Sequence, residues 1–328
     1  MARARRSSIL VPYGTPGDSS LLATATRLAN HRHATITLTR SILLSAPNWT
    51  TMPPSPIPTR KSLCLTFDAF GTLFHPRQPI ATQYAAAARE HGLSGFTDVE
   101  IGRRFKDAYK AESTKHPNYG RAVGMGAEQW WANIIRATLT PFVPAPKSFP
   151  ESMVPQLLHR FSSSEGYTLY PDVLPFFQHL RRKKQEDPVT GFGTTVGVIT
   201  NSDDRVSSIL ISLGLSVRPF KLAGMQWDTA RIDASQRDAE DIKFVALSYD
   251  IGFEKPDPRI FQAVRNLMKQ VKDEDFEYLH VGDDPEKDVS GAKAAGWGSL
   301  LLDREGKYVD VSARRVRHLE ELKKVLEL

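Results

Sequence analysis

The chain has 328 residues, a net charge of +6, 41% hydrophobic and 24% charged residues. That composition is globular, and the length suffices for one or two domains with a sizeable core. A single cysteine, Cys64, excludes a disulfide framework, a cysteine zinc site and a CxxC redox motif within one chain, and no apolar run is long enough to cross a bilayer.

The charge is unevenly placed. Residues 1–61 hold eight basic residues (Arg3, Arg5, Arg6, Arg27, Arg32, Arg40, Arg60 and Lys61) against Asp18 alone, which leaves 35 basic and 36 acidic residues for the rest. A nucleic-acid groove needs its charge on the folded domain, so no nucleic-acid partner is expected. Segment 1–61, rich in Arg, Ser and Thr, reads as a disordered extension or a targeting segment of transit-peptide composition. Translation from Met52 implies cytoplasm or nucleus; translation from Met1, with the segment used, implies the mitochondrion. Met52–Pro58 suits a flexible terminus or linker.

The first predicted strand is Ser62–Phe67, followed by Asp68 and then Gly71-Thr72. A strand ending in an acid and a turn is how doubly wound sheets present functional groups at their carboxyl edge. Cys64, inside this run, reads as a small buried hydrophobe. From Ile80 to Phe161 the pattern is helical: Tyr84–Arg89 is rich in alanine, Ile101, Phe105 and Tyr109 recur every four residues, and Trp130, Trp131, Ile134 and Ile135 form an apolar stripe. Prolines 141, 144, 146 and 150 end this block. Alternation resumes near Tyr170: a helix over 173–184 with Asp172 as its N-cap, a strand over 194–200, a helix over 206–213, a strand over 244–248, a helix over 258–271, a strand over 278–281, a helix over 289–295 and a final strand over 299–302. Gln226–Asp241 fits a surface loop. The repetition predicts an α/β fold, a doubly wound parallel sheet with an inserted helical domain. The expected division is 1–61 as extension, 62–78 with 165–328 as core, and 79–164 as helical cap.

Four segments end or closely follow predicted strands: Asp68–Thr72, Thr200-Asn201-Ser202, Lys255-Pro256-Asp257-Pro258, and Gly282-Asp283-Asp284 with Asp288. They supply carboxylates, a hydroxyl and an ammonium that strand ends would bring to one crevice. Each alone is an ordinary turn or cap; together, in order, they are not.

LTFDAFGTLF, VITNSD, GFEKPDPRIF and HVGDDPEKDVSGA resemble the four ordered motifs of the haloacid dehalogenase superfamily, over roughly 62–305. His116–Gly120 and Trp130-Trp131 further resemble a eukaryotic branch of it. The resemblance implies a hydrolase of a small-molecule substrate with Asp68 as nucleophile, forming an aspartyl ester that water cleaves. It implies that Thr200 and Asn201 bind the transferring group, and that Lys255 holds the nucleophile and neutralises developing charge. Asp68, the Phe70 backbone carbonyl, Asp283, Asp288 and as a further candidate Asp284 would ligate Mg2+, whose preference is for hard oxygens.

The chain departs from that pattern at Phe70. Phosphatases of the superfamily carry a second acid there, which protonates the leaving alkoxide. Three readings follow: a slow phosphatase, or one acting on easily expelled groups; a dehalogenase, whose halide leaves without a proton and whose cationic cradle would come from Arg77, Arg89, Arg103 or Arg104; and a binding module with little catalysis. The phosphate-ester reading is preferred on the acidic cluster and the branch resemblance. Substrate choice falls to the helical block, where the tryptophans read as core and His116 and Tyr119 as candidates to face the crevice.

Overall fold

The computed structural model describes residues 62–186, 193–218, 240–271, 275–308 and 312–326. The extension 1–61 and nearly all of the 226–241 stretch lie outside these residues, and with them the targeting and loop assignments.

β1 (Ser62–Phe67) is central in a six-stranded, all-parallel sheet. After it comes the short β2 (Phe74–Pro76), then α1 (Ile80–Glu90), α2 (Asp98–Lys115), a four-residue turn α3 (Pro117–Gly120), α4 (Ala127–Leu139) and α5 (Met153–Arg160). β3 (Tyr167–Leu169) then pairs antiparallel with β2, closing the helical block on a two-stranded ribbon. The chain continues through α6 (Val173–Glu186), β4 (Thr194–Thr200), α7 (Arg205–Ser212), β5 (Phe244–Leu247), the short α8 (Ser248–Ile251), α9 (Pro258–Val271) and β6 (Phe276–Gly282). It ends with α10 (Gly291–Ala294), β7 (Gly298–Leu302), β8 (Arg315–Val316) and α11 (Leu319–Val325).

The strand order is β5-β4-β1-β6-β7-β8. The chain builds outward from β1 through β4 to β5, then returns to the other side of β1 with β6. The direction of winding therefore reverses at β1, and in open α/β sheets the crevice at such a switch point receives the ligand. This sheet is covered on both faces, so its strands are apolar in runs rather than in alternation. Cys64, Leu65 and Phe67 are all fully buried, with Phe67 packed against Phe176 and Phe177 of α6 at ring distances of 5.8 and 6.0 Å. Gly197 of β4 exists for space, since a Cβ there would lie 2.1 Å from the Phe244 ring.

Local chemistry explains the helix limits. Thr97 opens α2 through a capping box with Glu100. Asp172 does not spend its side chain on α6: it takes Arg304 Nη1 on both oxygens at 2.9 Å and the Leu319 N–H of α11 at 2.7 Å. The helix expected over 289–295 is split, with a π-type turn over Pro285–Ser290 preceding α10. The strand over 299–302 is not the last, because β8 pairs beside it. β8 and the ribbon strands are two or three residues long, too short to show a period.

Candidate active site

Asp68 follows β1 directly, and its N–H donates to Val281 O of β6 at 2.9 Å, which carries the strand pairing into the site. Asp283 follows β6, and Thr200 ends β4 on the other side. Lys255 precedes α9 and is almost wholly buried, with its Nζ 2.9 Å from Asp68 Oδ1 and 2.6 Å from Asp288 Oδ1. The contact with Asp68 is an ion pair without a well-aligned hydrogen bond: Asp68 Oδ1 is buried yet finds no donor of good geometry.

The acids are packed tightly. Asp68, Asp283 and Asp288 can each direct one oxygen so that all three lie within 4.8 Å of one another. Two glycines make room for this, since a Cβ on Gly71 would sit 2.3 Å from Asp283 Oδ2 and one on Gly282 2.1 Å from the Asp288 carboxyl. Thr72, fully buried, donates its hydroxyl to Asp283 Oδ1 at 3.1 Å, and its carbonyl accepts from Arg304 Nη2 at 2.9 Å.

The titration of these acids follows their partners. Burial, then the charges of Asp68 and Asp288, push Asp283 up to about 7. Burial would also raise Asp288, but Lys255 and His280 overcome it and hold that carboxyl well below the usual range. Burial opposes the charge on Lys255, yet Asp288 and Asp68 more than offset it, so the ammonium stays protonated.

Asn201 spends its side chain on positioning. Its Nδ2 donates to Lys255 O at 2.8 Å and its Oδ1 accepts from Lys255 N at 2.6 Å. What it can offer a substrate is its backbone N–H. Asp284, named as a further metal ligand, is turned away: its Oδ1 caps the π-type turn, accepting from the N–H groups of Glu286 and Lys287 at 2.9 Å, and its Oδ2 pairs with Lys287 at 3.1 Å. Phe70 packs its ring on Phe74 and Tyr167 at 4.6 and 5.5 Å, a wholly apolar use of the side chain.

The helical block reaches the site through α3. Asn118 and Tyr119 take left-handed backbone, with φ of 47° and 59°. That conformation costs roughly 1–3 kcal/mol per residue and is tolerable for Asn but unusual for Tyr. Contacts to the sheet hold it: Asn118 Nδ2 donates to Ser248 O at 2.9 Å, and the Tyr119 hydroxyl donates to Asn201 O at 3.4 Å. His116, the C-cap of α2, has its Nδ1 2.9 Å from Glu112 Oε1 in the last turn of that helix. Trp130 is core, 2% exposed. Trp131 is half-buried and donates its Nε1–H to Asp203 Oδ2 at 2.9 Å.

Of the four arginines named for a halide cradle, two are hydrogen-bonded elsewhere: Arg77 donates to Ser164 O and Arg89 pairs with Asp98, while Arg104 lies over the Phe142 ring with its buried Nε unpartnered. A surface cavity of about 380 Å3, lined by Lys293, Trp297, Ser299 and Arg314 among others, sits at the amino-terminal end of β7, the wrong edge of the sheet for these groups. A second, about 30 Å3, lies among Tyr84, Phe105, Trp131 and Tyr167; it has room for about one water, so this aromatic stripe is packing.

Residues 63–296 match the model of the haloacid dehalogenase-like hydrolase family. The chain belongs to the haloacid dehalogenase-like hydrolases. Among the relatives of this hydrolase, the human haloacid dehalogenase-like hydrolase domain-containing protein 3 is 30% identical over 244 residues, covering 73% of this chain and 80% of that one. The bovine protein of the same name is 29% identical over 238 residues, covering the same shares. In fold the hydrolase resembles YfnB from Bacillus subtilis, a HAD-hydrolase solved bound to magnesium, at a TM-score of 0.51 and 16% identity over 82% of this chain and all of that one. It resembles the defluorinating L-2-haloacid dehalogenase Rha0230 equally, at a TM-score of 0.51 and 17% identity over 83% of this chain and 98% of that one.

Sequence reasoning missed Thr72, His280 and Arg304. Thr72 and His280 both stood in quoted motifs without a role; the contact of His280 with Thr66 across β1 and β6, and those of Arg304 with Asp172 and Thr72 O, join residues far apart in the chain, which no local spacing encodes.

Proposed function

We propose that this hydrolase is a magnesium-dependent phosphatase acting on a small phosphate ester through Asp68. The observation that carries the reading is the convergence of Asp68, Asp283 and Asp288 on one point beside a single ammonium, Lys255. Ionised together, the three carboxylates and one ammonium carry two negative charges in excess; without a cation this pushes Asp283 up to about 7, and a divalent cation would balance it. The residues fit such a cation: the donors are hard oxygens, Asp68 Oδ1 lacks an aligned donor, and two glycines clear the space. Asp68, the Phe70 carbonyl, Asp283 and Asp288 would hold it, and when bound it would neutralise phosphate oxygens and relieve repulsion among the acids.

The chain's own groups do the rest. A carboxylate oxygen of Asp68 forms the new bond to phosphorus, and the ester oxygen leaves with the bonding electrons. Water then attacks the aspartyl phosphate, releasing phosphate and restoring Asp68. Thr200 and the Asn201 N–H donate to the phosphoryl oxygens, while Lys255 holds Asp68 and offsets charge as it develops. The block 79–164 acts as a cap that excludes water and chooses the substrate, with 62–78 and 165–328 as the core. Phe70 cannot pass a proton to the departing oxygen, so substrates with acidic leaving groups are favoured.

Phe70 also supports a second reading, a dehalogenase, since halide needs no proton. The engagement of Arg77 and Arg89 weighs against it. The deciding experiment is a panel of phosphate esters and 2-haloacids, with and without Mg2+, using Asp68→Asn as control. Phosphate release that needs Mg2+ and Asp68 supports the proposal. Halide release without metal would replace it.

A further inference from the structure

The imidazole of His280 is fully buried at the centre of the site, and nothing above has given it a task. β1 and β6 lie in register with Thr66 opposite His280, so the main chain sets the ring's place. Its Nδ1 is 2.9 Å from Thr66 Oγ1 and its Nε2 is 3.2 Å from Asp288 Oδ1. The Phe261 ring meets it edge-on at 5.2 Å. The ionised carboxylate has no proton to give, so Nε2 carries the hydrogen and donates; Nδ1 then accepts from the Thr66 hydroxyl, for which Leu279 O at 3.3 Å is the competing acceptor. This tautomer is assigned from the network.

Asp288 is thereby held from three directions. Oδ1 accepts from His280 and from Lys255 Nζ, and Oδ2 accepts from the Asp284 N–H at 2.9 Å. Lys255 in turn is the group beside Asp68. A line of contacts runs from Thr66 through His280, Asp288 and Lys255 back to the nucleophile two residues beyond Thr66. Without His280, the carboxylate that anchors Lys255 keeps one backbone donor on Oδ2 and, on Oδ1, only the flexible ammonium itself.

We propose that His280 is a positioning residue: its hydrogen bond sets the orientation of Asp288 and, through it, places the Lys255 ammonium against Asp68. A polar ring packed against the Phe261 ring is costly to bury unless both nitrogens are bonded. Phenylalanine would pack there at less cost, so packing alone does not account for the imidazole.

The kinetic arm of the test rests on the phosphatase reading; the crystallographic arm does not. With p-nitrophenyl phosphate and Mg2+, His280→Phe should lower kcat about 10- to 100-fold, the range for partners that orient metal ligands, with little change in KM. His280→Gln restores a donor at the same depth and should recover most of that loss. Mg2+ affinity, read by calorimetry, should fall about tenfold in the Phe variant and hold in the Gln variant. In the crystal structure of His280→Phe, Lys255 Nζ should leave Asp68 or the Asp288 carboxyl should rotate. If both stay as they are here, His280 is only core and the proposal fails, whatever the substrate. A Gln variant as impaired as the Phe variant assigns the effect to ring shape and also overturns it. If the wild type hydrolyses no phosphate ester but Lys255 shifts in the Phe crystal, the phosphatase reading fails and the positioning role stands. Should the Phe variant not fold, Thr66→Val and the Gln variant decide: the valine change should displace Lys255 in the same direction to a smaller extent, and an unmoved Lys255 there refutes the role.

Discussion

Two buried ion clusters lie near each other in this hydrolase, and they are built on opposite accounts of charge. Around Asp203 one acid meets one base. Arg205 Nε and Nη2 reach its two oxygens at 2.7 and 2.9 Å, Trp131 adds a third donor, and the guanidinium lies 4.3 Å from the centre of the Trp131 ring. Burial would raise the Asp203 carboxyl, but Arg205 and Trp131 pull it below the usual range. Around Lys255, three acids share one base, and the least compensated of them, Asp283, is pushed up to about 7. The balanced cluster joins the helical block to the sheet. The unbalanced one is electrostatically costly by itself and becomes favourable when something positive enters. The difference teaches that burial and short contacts do not mark a functional site; an unmet charge does.

The comparison can be tested where its effects are largest. Asp68→Asn removes the proposed nucleophile and one repulsive charge together. Turnover of p-nitrophenyl phosphate should drop by about 10^4-fold or more, as for other covalent nucleophiles, while the melting temperature without metal rises. A fall in melting temperature would mean that the lost ion pair with Lys255 outweighs the relieved repulsion. In the balanced cluster, Asp203→Asn leaves a buried guanidinium without its charge partner. Denaturant unfolding should show a loss of about 3–5 kcal/mol, the usual result of halving a buried pair; a loss under about 1 kcal/mol would show the pair to be well solvated.

Phe70→Asp places a fourth acid at the edge of the unbalanced cluster. It should raise kcat/KM for alkyl phosphates about 100-fold, the low side of what a general acid contributes, and leave p-nitrophenyl phosphate nearly unchanged. An equal gain on both substrates would show that the new carboxylate acts on the metal instead of the leaving group.

The smallest effect is on the pH dependence of stability without metal. Asp283 is raised from an ordinary 3.8 to about 7, so its neutral form is favoured by folding. Its contribution is fully present below about pH 4 and is lost as pH rises through 7. Asp288 is lowered, so its contribution is present above about pH 4 and is lost only in stronger acid. A melting-temperature series from pH 4 to pH 8 should therefore decline by a few degrees. Asp283→Asn should flatten the decline, and added Mg2+ should reverse it. A flat wild-type series would show that Asp283 ionises freely.

Most of the architecture was legible along the chain because helices and buried strands advertise themselves through local repetition. β4 and α9 have the bounds the pattern predicted, and β1 shows its burial in a mostly apolar run. The ribbon of β2 and β3 and the terminal β8 were not legible, because two or three residues cannot carry a period. Asp172 misled, because an acid before a helix looks like a cap whether its side chain turns back to that helix or, as here, reaches Arg304.

By itself the sequence determined that carboxylates, a hydroxyl and a lysine follow strand ends in a set order, and that position 70 cannot transfer a proton. Only the tertiary structure decided which acids meet. It set Asp283 and Asp288 against Asp68 and turned Asp284 outward into a cap, although the two neighbours are chemically identical in the sequence. The physical reason is that strand register and backbone direction, fixed by pairing across the sheet, choose where each side chain points, and those contacts join residues more than 200 positions apart.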